Sequence, residues 1–102
     1  MLFGALEAGG TKMVCAIGNE KGEILERVSI PTETPEVTLP KLLAYFEGKG
    51  ILALGIGCFG PIDLNESSDT YGYITTTPKL PWVNCDICGY FRNIFRFRWC
   101  LT

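Results

Sequence analysis

Six consecutive residues near the start of the chain, Glu7-Ala8-Gly9-Gly10-Thr11-Lys12, gather a carboxylate, a hydroxyl and an ammonium around two glycines. They follow a short apolar run and read as a strand that turns back tightly. Glycine, having no Cβ, lets the backbone approach a ligand closely and take positive φ, and successive N–H groups in such a turn form a concave anion site. A phosphate fits there. Thr11 and Lys12 add a neutral and a charged donor, and Glu7 offers an oxygen ligand to magnesium, directly or through water. The same residues equally suit an ordinary Gly-Gly hairpin turn with solvated flanks, because short glycine motifs match often. A P-loop is excluded, since it needs a longer glycine loop ahead of Lys-Ser/Thr.

The elements that would hold this turn follow from the residue pattern. Residues 2 to 8 and 12 to 18 are β-rich runs, and Asn19-Glu20-Lys21-Gly22 is a four-residue turn with glycine in its favoured last place. A third strand is expected from Glu23 to about Ile30, with Ile24, Val28 and Ile30 on one face and Glu23, Arg27 and Ser29 largely on the other. Thr34-Pro35-Glu36 then supplies an N-cap residue and a proline at the first helical position. Leu39, Leu42, Leu43 and Phe46 recur at helical spacing, with Gly48 as the stop. Pro40 opposes an i−4 bond if the helix starts at Thr34, so a kink or a start near Pro40 is expected. Ile51 to Gly57 reads as a short buried strand, and the helix before it implies parallel pairing.

Three ordered segments resemble the ROK group of sugar kinases, in particular its fructokinase branch. The stretch from Phe3 to Gly18 is similar to that family's opening strand and Asp/Glu-x-Gly-Gly-Thr-Lys turn, with Glu7 in place of the commoner Asp. The stretch from Gly55 to Leu64 is similar to its strand and Gly-Pro turn, and Tyr71 to Lys79, with Trp82 and Asn84, to its substrate-side loop. The likeness covers roughly residues 3 to 91. It implies an α/β fold, the incomplete N-terminal lobe of an actin-like, ribonuclease H-like ATPase with the order β-β-β-α-β. It implies ATP and Mg2+ as cofactors, with Gly9, Gly10, Thr11 and Lys12 on the phosphates, Glu7 at the metal, and Gly60, Pro61 and Lys79 on the sugar side. The activity implied is phosphoryl transfer from ATP to the 6-hydroxyl of fructose.

From local chemistry alone several of these residues stay open. Gly60-Pro61 breaks a strand and fixes a bend with or without a sugar nearby. Lys79, where many relatives have Asn, could donate to a sugar hydroxyl, compensate phosphate charge, or close the loop on Asp63. Trp82 is most simply a buried or half-buried anchor, and an aromatic ring beside a sugar face is the other use open to it.

At 102 residues the chain is one small domain, whereas kinases of this kind close two lobes over their substrates. The family's catalytic base, an Asp in an Asp-Val-Asn type segment, is not found here, and the His/Cys zinc cluster expected of an intact relative has no counterpart in a chain without histidine. No detectable activity of the chain alone is therefore expected, and a non-catalytic nucleotide-binding or interaction fragment is the alternative. A ROK-type repressor is disfavoured, because no helix-turn-helix precedes the motif. From Arg92 to Thr102 the composition shifts, with three of the four arginines and three aromatics. A nucleic-acid or membrane contact is one reading; a translated frameshift outside the family pattern, leaving residues 1 to 91 as the partial lobe, is preferred.

A net charge of −2 argues against general nucleic-acid binding, no apolar stretch is long enough to span a bilayer, and no signal-peptide pattern opens the chain. A cytoplasmic location with reduced cysteines is expected. Cys85-Asp86-Ile87-Cys88 lacks a second matching pair and reads as two incidental thiols near a helix start. A lobe without its partner exposes apolar surface, so self-association is expected.

Overall fold

A computed structural model describes residues 1–58, 62–77, 79–94 and 98–101, the side chains of 92–94 and 98–101 excepted. Strands β1 (Leu2–Ala8), β2 (Lys12–Asn19) and β3 (Ile24–Pro31) form an antiparallel meander. Helix α1 (Pro35–Phe46) then crosses over to β4 (Ile51–Cys58), which pairs parallel to β1. Helix α2 (Ile87–Ile94) leads to β5 (Arg98–Leu101), parallel to β4, giving the sheet order β3-β2-β1-β4-β5. The expected β-β-β-α-β order is present. The backbone from 92 onward adds the end of α2 and a fifth strand that the change in composition did not suggest.

Strand periodicity sorts the sheet into two unlike faces. Leu6, Ala8, Met13, Cys15, Ile17, Leu54 and Ile56 alternate along their strands and are all buried. Leu39, Leu42 and Phe46 of α1 cover that face, and Phe46 meets Phe91 of α2 edge to face at 6.4 Å. The opposite face carries Ala5, Glu7, Lys12, Val14 and Ala16, with Gly55 and Gly57 beside them on β4. It is built largely of small side chains, which leaves room above the sheet.

Helix α1 begins at Pro35, with Pro40 inside it. The helix therefore does not wait for Pro40, because five hydrophobic and hydroxyl positions (Pro35, Thr38, Leu39, Leu42 and Phe46) are buried on one side and hold it despite the missing bond. Thr34 occupies the N-cap without a side-chain cap bond; its carbonyl accepts from the N–H groups of Val37 and Thr38. Glu47 is the C-cap, one residue before the expected Gly48, which follows at φ +79 in the left-handed region.

The facing of β3 differs from its alternation pattern at Ile24. A register irregularity between Ile17 and Gly18 pairs them with Glu26 and Ile24, so Leu25 is an extra residue. That extra residue turns Ile24 onto the face of Arg27, whereas Val28 and Ile30 stay opposite Cys15 and Met13 on the core face.

Candidate functional site

The β1–β2 turn closes on itself. The N–H of Gly9 donates to the Lys12 carbonyl at 3.1 Å. A Cβ built on Gly9 would lie 2.5 Å from that same oxygen, so only glycine lets the two strands approach so closely. Neither Gly9 nor Gly10 sits in the left-handed region, which corrects the expectation of positive φ here: the requirement at Gly9 is close approach. Gly10 has space for a Cβ, its nearest neighbour being the Cε of Lys79 at 3.6 Å.

Thr32, just past β3, braces the turn from behind. Its hydroxyl donates to the Gly9 carbonyl at 2.7 Å and its N–H to the Thr11 carbonyl at 3.0 Å. Two of the turn's carbonyls are thus bonded to Thr32, and the side chains of Thr11 and Lys12 are exposed.

Glu7, Gly9, Gly10, Thr11, Lys12, Val14 and Arg27 together line a cleft of about 400 Å³. The five residues assigned by motif to phosphate and metal are thus brought to one place, on the uncovered face of the sheet. Arg27 joins them, which the sequence reading missed. Cross-strand register was the signal that could have found it: Arg27 pairs with Ala16, which pairs with Ala5, two residues along from Glu7. Gly57 lies directly beside Glu7, adding bare backbone to the floor.

Among the described residues there is no group of three or more His, Cys, Asp or Glu side chains able to hold a metal. A single exposed carboxylate still fits magnesium, which keeps several waters and is usually bound through one or two carboxylates plus substrate phosphates. It does not make a dedicated protein cage.

The second cleft, about 480 Å³, is lined by Thr32, Glu33, Thr34, Lys79, Leu80, Pro81 and Trp82. Trp82 is fully buried, as its anchor reading expects, and its Nε1 donates to the Glu33 carbonyl at 2.7 Å. Asp63 is engaged within its own loop, accepting from the Thr70 hydroxyl at 2.6 Å and the Asn65 N–H at 2.9 Å; the Thr70 bond, then one from Ser68, holds its carboxyl below the ordinary range. Lys79 makes no ion pair with it. Gly60 and Pro61, expected on the sugar side, lie outside the described residues.

Cys85 and Cys88 precede and enter α2, whose Gly89 N–H is capped by the Asp86 carboxylate at 2.8 Å. Burial, with the nearby Asp86 charge second, pushes the Cys85 thiol up to about 11. So protonated a thiol is a poor nucleophile and metal ligand, in keeping with incidental cysteines.

A five-stranded sheet in this order, with a helix crossing between its third and fourth strands, has the architecture of the N-terminal lobe of an actin-like fold. The ROK family pattern matches residues 3–100, and the chain belongs to that family. It is 48% identical over 103 residues to a fructokinase of Streptococcus mutans, covering 99% of this chain and 35% of that protein. It is 50% identical over 95 residues to a fructokinase of Pediococcus pentosaceus, covering 93% and 33%. The chain thus spans about a third of the length of the curated relatives it matches.

Solved structures show the same fold. A ROK family protein from Streptococcus pneumoniae, in complex with sucrose, superposes with a TM-score of 0.80 at 19% identity, covering 100% of this chain and 34% of that one. A ROK glucokinase from Streptomyces griseus, in complex with glucose and AMPPNP, gives 0.79 at 22%, covering 100% and 33%.

Proposed function

We propose that this chain is the ATP-phosphate-binding part of a fructokinase, which transfers the terminal phosphoryl group of ATP to the 6-hydroxyl of fructose. The observation that carries this reading is the convergence of Glu7, Gly9, Gly10, Thr11 and Lys12 in one cleft, on a turn whose shape depends on glycine at position 9. The fructokinases at about half identity support the choice of sugar.

Each residue has a physical task in this scheme. The free N–H groups of the turn and the Thr11 hydroxyl donate to phosphate oxygens, and the fixed backbone costs little reorganisation when they do. Lys12 and Arg27 offset polyphosphate charge. Glu7 would hold a hydrated magnesium ion, which when bound would supply positive charge to the phosphate oxygens. Gly60 and Pro61 are assigned to the sugar side. The fructose hydroxyl attacks the terminal phosphorus, its proton passes to a general base, and ADP leaves; that base is not among the residues of this chain.

Joining residues 1–102 to the remainder of the Streptococcus mutans enzyme tests the reading. ATP-dependent phosphorylation of fructose in preference to mannose and glucose is expected, and preference for glucose overturns the substrate assignment. The 102-residue chain by itself is expected to show no turnover above a heat-killed control, because loss of a general base costs on the order of 100- to 10,000-fold and loss of the facing lobe removes proximity as well. Turnover there would contradict it. The division into a lobe over 1–91 and an out-of-frame tail over 92–102 is a separate proposal, overturned by an uninterrupted reading frame with the same tail in independent isolates.

A further inference from the structure

Lys79 lines the second cleft and reaches the glycine turn from it. Its Cε lies 3.6 Å from the position of a Cβ on Gly10, while Lys12 and Arg27 line the first cleft with that turn. The placement is secured by a closed circuit of contacts. Thr32 bonds to both Gly9 and Thr11; the next residue, Glu33, accepts from the Trp82 indole; the Trp82 N–H donates to the Lys79 carbonyl at 2.9 Å; and the Lys79 side chain returns over Gly10. The Lys79 N–H is also held, donating to the buried Thr77 hydroxyl at 3.3 Å.

The charges at this place are unbalanced. Lys41 and Lys49 pair with Glu33 and Glu26 at 3.2 and 2.7 Å. Lys12, Arg27 and Lys79 have no ion-pair partner among the described residues; Glu7 is the carboxylate lining the first cleft with Lys12 and Arg27, and Glu33, already paired with Lys41, is the one lining the second with Lys79. Three cations without ion-pair partners gathered about one glycine turn suit a polyanion. A neutral sugar hydroxyl would leave the excess charge unanswered.

We propose that Lys79 binds the terminal phosphate, the group to be transferred, and is not a determinant of which sugar is taken. This rests on the turn being the phosphate site. Lysine acts there as a mobile point charge able to follow the phosphoryl group.

The test is a titration of the isotopically labelled 102-residue chain with inorganic tripolyphosphate and, separately, with fructose, reading the Gly9, Gly10 and Thr11 amides and the lysine side-chain signals by NMR. Tripolyphosphate is expected to shift the turn amides and Lys79 together. Lys79→Met should raise its Kd about threefold to tenfold, the range of one charge-assisted contact at an exposed site, with Lys79→Arg recovering most of the loss. Lys21→Met, at the far end of β2, should change nothing. If the amides shift while Lys79 stays still, or if Lys79→Met binds like the parent, the inference is overturned and the phosphate turn stands. If the amides do not move at all, both fail. A Lys79 signal that answers to fructose in place of tripolyphosphate returns the residue to the sugar side and overturns the proposal.

Discussion

The indole of Trp82 donates to the carbonyl of Glu33, 49 residues away in sequence, at 2.7 Å. This bond joins the Lys79 loop to the segment that braces the glycine turn, so two stretches with separate chemical roles share one fixed frame. The buried Thr38 hydroxyl strengthens the junction by accepting from the Glu33 N–H at 2.9 Å.

Trp82→Phe keeps most of the buried ring but leaves the Glu33 carbonyl without its donor. A loss of about 1–3 kcal/mol is expected for the stranded acceptor, and Trp82→Ala should cost about 3–5 kcal/mol through the cavity as well. Urea denaturation measures both. Equal stability of Trp82→Phe and parent would show that the bond contributes nothing.

The two glycines of the turn should respond differently. Gly9→Ala places a methyl 2.5 Å from the Lys12 oxygen, a contact that the backbone must open to relieve, so about 1–3 kcal/mol of stability should go together with tripolyphosphate binding. Gly10→Ala meets only the Lys79 side chain at an ordinary 3.6 Å. Its fold should be kept. A Gly9→Ala protein as stable as the parent would remove close approach as the reason for glycine there.

The meander, the crossover helix and the parallel fourth strand were legible because each depends on local periodicity and turn chemistry. Glu7, Gly9, Gly10, Thr11 and Lys12 were legible because they are contiguous. Arg27 was not, since its place in the cleft comes from strand pairing, and Ile24 was misjudged because the extra Leu25 reverses a side chain without leaving any mark on composition. Positive φ was expected at the turn from glycine's freedom, whereas steric contact across the hairpin is what excludes a side chain at Gly9. The Lys79 contact with Gly10 spans 69 residues, and no motif announces it.

Self-association of the isolated chain is a further expectation. Ile24 is 65% exposed on the uncovered sheet face, beside Ala5, Val14 and Ala16, and a sheet face of this kind ordinarily packs against another layer. Sedimentation should show mass rising with concentration in the micromolar to millimolar range, with Ile24→Lys reducing it. A monomer with a sharp cooperative melt throughout would count against it.

Glu26 provides a pH test away from the site. It sits on β3 beneath the end of α1, accepting from the Lys49 ammonium at 2.7 Å and from the Tyr45 hydroxyl at 2.9 Å. The Lys49 bond first, and the Tyr45 bond second, hold its carboxyl below the ordinary value of 4.5. A carboxylate with a lowered folded-state pKa binds protons more readily when unfolded, so its contribution to stability is fully present above the ordinary value and is lost as pH falls through the folded one. Tyr45 sits on the other limb: burial, and then the Glu26 bond, pushes its hydroxyl up to about 12, so it stays a donor throughout the neutral range. Glu26→Gln should therefore lower Tm near neutrality and flatten its fall in acid, the two proteins converging at low pH. The exposed position and salt screening keep the effect small, so Tm should be followed in low-salt buffer across the carboxylate range. Parallel Tm curves for the variant and the parent would show that Glu26 is not responsible for any of the acid limb.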